Sequence, residues 1–85
     1  MKLYDIVCRD QRTHELETLG QLELWEEDNT MHRNMYNQKA IKDLMKEKYP
    51  TYHCWEVDCG LYEFCEYIEG KASRYEKTVY SQEIK

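Results

Sequence analysis

One long stretch of this chain carries an unambiguous helical pattern, and the rest of the molecule must be arranged around it. From Met31 onward the apolar residues Ala40, Ile41, Leu44 and Met45 recur at spacings of one, three and four, the signature of an amphipathic helix. Asp28-Asn29-Thr30 supplies candidate N-caps. Pro50, the single proline, ends the segment, because it disfavours the α conformation at the residue before it, Tyr49. A helix over residues 31–48 is therefore expected. At about 100° per residue, Lys39, Lys42 and Lys46 fall on the side away from the apolar stripe and form a solvated basic ridge.

Both flanks of this helix read as strands. Leu3-Tyr4-Asp5-Ile6-Val7-Cys8 is rich in β-formers and is followed by the turn-like Asp10-Gln11-Arg12-Thr13. Leu16 to Glu26 (LETLGQLELWE) places Leu22 and Leu24 on one parity and Glu23 and Trp25 on the other, with Gly20 suited to a bulge. After the helix, Thr51 to Asp58 (TYHCWEVD) is dense in β-branched and aromatic residues. Residues 61–69 fit two patterns. Leu61, Phe64, Cys65 and Ile68 match a helix between Asp58 and Gly70, whereas Tyr62, Phe64 and Ile68 match strand parity, with Gly70-Lys71 turning the chain into Tyr75–Tyr80. The aromatic content favours the hairpin. The expected fold is α+β, a single domain over 1–85 with a small antiparallel sheet of about five strands in the chain order β-β-α-β-β-β and one helix across one face.

A chain of 85 residues supports one small core, burying about 60–65 % of the surface its unfolded form exposes. No apolar run approaches the roughly 18–20 residues that span a bilayer, and Asp5, Arg9 and Asp10 follow the start too soon for a secretory leader. A cytoplasmic location is expected, with Cys8, Cys54, Cys59 and Cys65 as free thiols in a reducing compartment.

The segment Tyr49 to Gly70 (YPTYHCWEVDCGLYEFCEYIEG) concentrates three cysteines, a histidine and five carboxylates. Cys54, Cys59, Cys65 and His53 are the right atoms for a structural zinc, with Cys8 as a further ligand. The four residues between Cys54 and Cys59 fit a zinc knuckle, the five between Cys59 and Cys65 exceed its range, and no second knuckle appears. Nothing places His14, His32 or His53 beside a thiol for nucleophilic catalysis, and no Gly-rich phosphate loop, G-x-S-x-G or C-x-x-C occurs. Glu56 and Asp58 share a strand face, as pairs do by chance in a chain with 17 acids. No enzyme activity and no cofactor are expected. Direct nucleic-acid binding is disfavoured by the net charge of −5, since the required potential is positive.

Charge along the chain is segregated. Residues 13–32 carry six acids and no base, and residues 49–70 five acids and no base. On the expected sheet and its rims these acids interleave with rings, and the residues expected to meet a partner are Glu23, Trp25, Glu26, Glu27, Glu56, Asp58, Tyr62, Glu63, Glu66 and Tyr67. Carboxylates steer a cationic partner and exposed rings anchor it.

The small size, segregated acidity and β-β-α-β opening, seen in YDIVC, QLELW, NQKAIKDLMKEKYP and YHCWEV, resemble the accessory proteins that phages and other mobile elements direct against host defences, the anti-CRISPR and anti-restriction inhibitors. That resemblance implies an inhibitor that occludes the nucleic-acid-binding surface of a basic host effector or nuclease. No residue role is carried over from it. The alternative is a self-associating structural or regulatory module, a homodimer for example, with a zinc at the cysteines.

Overall fold

The computed structural model describes residues 1–26, 30–58 and 60–84. Five strands and one helix follow the chain in the order β1 (Lys2–Asp10), β2 (Leu16–Leu24), α1 (Met31–Lys48), β3 (Tyr52–Asp58), β4 (Leu61–Ile68) and β5 (Lys71–Glu83). All strands join one antiparallel sheet in the spatial order β2-β1-β5-β4-β3. The final strand runs down the centre, and β2 and β3 form the two edges. Because β2 and β3 point the same way at opposite edges, the chain must recross the sheet between them, and α1 makes that crossing.

The expected helix and the hairpin reading of residues 61–69 both match these elements. Two details differ. The last strand begins at Lys71, well before Tyr75, and the turn residues are Glu69 and Gly70, with φ of 53° and 78°, one position earlier than expected. Positive φ at both central residues defines the type I′ turn, whose twist suits a hairpin and whose second position favours glycine. Of the cap candidates, Asp28 and Asn29 lie outside the described residues. Thr30 holds the N-cap position in an extended conformation.

Strand parity divides the sheet cleanly. Ile6, Cys8, Leu24, Phe64 and Val79 turn toward the helix and pack with Ile41 and Met45, all at most 2 % exposed. The helix packs on β2 at Gly20, whose φ of 152° is one that L side chains rarely adopt. A Cβ there would lie 3.8 Å from a Leu44 methyl, and Gly20 sits beside the bulge at Leu19, where the β1–β2 register shifts.

Polar contacts fix the helix at both ends. Near its start, the buried Asn37 side chain accepts a hydrogen bond from the Trp25 N–H (3.0 Å) and donates one to the Trp25 carbonyl (2.8 Å), so it pairs with the end of β2 as another strand would. At its other end the Tyr49 hydroxyl donates to Glu17, and Lys48 ion-pairs with the same carboxylate. These two donors, Lys48 first, hold the Glu17 carboxyl below the usual range. Beside them the Lys77 ammonium lies 4.7 Å from the centre of the Tyr49 ring and 5.6 Å from that of Tyr52. It also reaches Asp10 at 3.3 Å, whose carboxylate accepts the Arg12 and Thr13 N–H groups and so closes the β1–β2 turn.

Replacing Asn37 with alanine leaves the N–H and carbonyl of Trp25 without this partner. Equilibrium urea unfolding of Asn37→Ala should show a loss of about 1–3 kcal/mol, the net cost of two part-buried hydrogen bonds. Lys39→Ala, which breaks only the exposed Lys39–Asp43 pair on the helix, should stay within about 0.5 kcal/mol of wild type.

Candidate partner-binding face

With α1 on one side, the other face of the sheet lies open to solvent. The register sets out its side chains in rows. One row runs Val7, Tyr80, Leu61, Asp58 from β1 to β3, the next Arg9, Thr78, Glu63, Glu56, and a third Glu76, Cys65, His53 from β5 to β3. Glu63 therefore lies directly opposite Glu56, with Asp58 and Glu76 in the adjoining rows. Neighbouring strands are about 4.8 Å apart and same-face residues on one strand about 6.8 Å apart, which gathers four carboxylates into a patch across β5, β4 and β3. Among the described residues none of the four ion-pairs with a lysine or arginine.

This arrangement works against the fold. Like charges directly opposite across strands are destabilising, and the effect is visible in Glu63. Partial burial first, and then the carboxylates of Glu56, Glu76 and Asp58, push its carboxyl above the usual glutamate range. Around the patch lie exposed rings and apolar groups. Tyr67 stacks edge-on against His53 at 5.3 Å, Leu61 is 45 % exposed, and Trp55 is 51 % exposed at a bulge in the edge strand β3.

The expected contact residues divide accordingly. Glu56, Asp58, Glu63 and Tyr67 come together on the open face. Glu23 shares that face but stands on the opposite edge, four strand spacings away. Glu66 turns toward the other side of β4, where it accepts a hydrogen bond from Thr51. Glu26 pairs with Lys2 at 2.5 Å, and Trp25 is half-buried beside the helix with Arg33 over its ring at 4.5 Å. Tyr62 is a correction: its even position in β4 turns it into the helix-facing core, where it is 6 % exposed, so it contributes no surface anchor. Glu27 lies outside the described residues. Sequence reasoning missed Glu76, which reaches the patch only because β5 pairs with β4, and whose single negative charge among Arg74 and Lys77 gave no local signal.

The same alternation separates the thiols. Cys54 faces the helix, whereas His53 and Cys65 face the open side, and Cys59 lies outside the described residues. Cys8 also faces the helix, but β5 and β4 stand between its strand and β3. Among the described residues no three histidine, cysteine or carboxylate side chains gather as metal ligands would. Burial pushes the Cys8 thiol up to about 11 and also raises that of Cys54, which keeps both from acting as ready thiolate nucleophiles near neutrality.

Compared with known proteins, the chain matches no family model, no curated protein and no solved structure.

Because the Glu63 carboxyl is raised in the folded state, the fold holds its proton more tightly than the unfolded chain does, and this residue's contribution worsens as pH rises above the ordinary glutamate range. Glu63→Gln removes the repulsion. Thermal melts should show the variant more stable than wild type at pH 7, by about 0.2–1 kcal/mol, with the gain vanishing toward pH 4.

Proposed function

We propose that this chain is a small protein-binding inhibitor whose open sheet face docks onto a basic protein surface and occludes a nucleic-acid-binding site there, as an anti-defence protein would block a host effector or nuclease. The carrying observation is the patch of Glu56, Asp58, Glu63 and Glu76. Four carboxylates held together against their own repulsion stabilise nothing within the chain, and local rules are broken most often where function requires it. A cationic partner would offset that repulsion, and a channel built for polyanionic phosphate would accept it. Tyr67, Leu61 and Trp55 lie where they would supply the desolvated anchors that carry most interface energy.

The second reading, self-association, has less support at the strand edges. Each edge strand carries a bulge, at Leu19 in β2 and at Trp55 in β3, and bulged edges resist pairing with another sheet. The zinc variant of that reading has no ligand cluster among the described residues.

The test begins with a partner captured from a host lysate and purified. Its association with the chain should slow steeply as salt is raised, and a nucleic acid bound by the partner should compete. The double variant Glu56→Lys/Glu63→Lys should bind at least about tenfold more weakly, because reversal at a charged interface adds repulsion to lost attraction, whereas Glu26→Lys should bind nearly as wild type. Full binding by the double variant, or a mass in solution that doubles with concentration and is insensitive to it, would sink this reading.

A further inference from the structure

A cleft lined mainly by helix-side residues also reaches Leu61 and Tyr80, which the register places on the open face. Beside Asn37 and Ile41 of α1 lies an opening of about 360 Å³, within the range of small-molecule sites. Its floor is Tyr4, Tyr62 and Ser81, its walls are Trp25 and Asn37, and Tyr80 lies at its rim. Four of the chain's eleven aromatic residues meet there. In a chain of which 34 % is charged, no charged side chain is among the described residues that line it. A second cavity, of about 230 Å³ beside Lys77, has the reverse character, with Asp10 and Glu17 on its walls already paired to lysines.

The walls are held before any ligand arrives. Asn37 fixes the Trp25 backbone through both its N–H and its carbonyl, and the Arg33 guanidinium covers the Trp25 ring at 4.5 Å. Rings of tyrosine and tryptophan offer flat apolar faces, while the hydroxyls of Tyr4, Tyr80 and Ser81 and the Asn37 amide offer hydrogen bonds to a ligand's edge. Stacking on such rings tolerates any flat heterocycle. The absence of a lining cation, within a protein of net charge −5, selects against anions.

From this we infer that the cleft is a binding site for an uncharged planar heterocycle of nucleoside size, distinct from the Glu56, Asp58, Glu63 and Glu76 carboxylates although Leu61 borders both. An unfilled packing defect would have the same volume but a different response to filling. Adenosine is titrated into the protein by calorimetry and amide chemical-shift mapping, with AMP as the charged comparison. The expected result is saturable adenosine binding, with shifts at Trp25, Asn37 and Ser81, and AMP weaker by at least about tenfold because no cationic side chain is among the described residues that line the cleft. Ser81→Leu projects a side chain into the opening and should abolish adenosine binding while the melting temperature holds or rises. Ser81→Val serves the same purpose if leucine disrupts folding. No saturable adenosine binding, equal affinity for AMP, or binding that survives a folded Ser81 variant would each overturn the assignment. Binding by Glu56→Lys/Glu63→Lys should be unchanged, which separates this site from the acidic face.

Discussion

One helix can cover one face of a five-stranded sheet, and that geometric limit governs the rest of this structure. At about 1.5 Å per residue an 18-residue helix is roughly 27 Å long, enough to cross from the end of β2 to the start of β3 but with only one apolar stripe to offer. The core therefore lies on one side, between Ile41 and Met45 of the helix and the inward row of Ile6, Cys8, Phe64 and Val79. Most outward residues are left on a second face that no helix covers, with Val7, Cys65 and Thr78 buried there by neighbouring side chains, and the character of the rest is free to serve something else.

The core is small, and polar contacts at its margins complete it. Asn37 caps the end of β2 from the helix, and the Glu17, Lys48 and Tyr49 group ties the helix end back to the same strand. Lys77 lies between two tyrosine rings and a carboxylate, so its charge is compensated where solvent is largely excluded. Every buried side-chain nitrogen and oxygen among the described residues has a hydrogen-bond partner. Against that background of satisfied groups, the carboxylates around Glu63 stand out as a place where neighbouring side chains oppose one another.

The two proposed sites follow from the same limit and differ in chemistry because they lie mainly on different sides of the sheet. On the open face, solvent accepts charge, and repulsion among Glu56, Asp58, Glu63 and Glu76 is tolerable at the surface of a marginally stable domain. Beside Asn37 and Ile41 of the helix, the space is bounded by rings, short polar groups and aliphatic side chains, with no charged side chain among the described residues that line it. The proposed occupants differ accordingly, a large cationic protein on the one and a small neutral ring in the other.

Much of this was legible along the chain. The helix from Met31 to Lys48 follows from its apolar spacing and Pro50, and the strands follow from alternation and β-branched or aromatic content, because both signals are local. Glu56, Asp58 and Glu63 could be placed near one another from a hairpin alone. Tyr67 could not be told from Tyr62 in this way, since the two belong to opposite parities and only packing against the helix reveals which parity is inside. Bulges at Leu19 and Trp55 shift the register by a residue, which no composition signals. Glu76 joined the acidic patch, and Cys54 parted from Cys65 and His53, through pairing between strands distant in sequence. The element types and their order were thus determined by the sequence itself, through short-range periodicity. Which face each side chain occupies, and so which charges and rings become neighbours, was decided only in the tertiary structure, because strand register is set by long-range pairing and by the single helix choosing one side of the sheet.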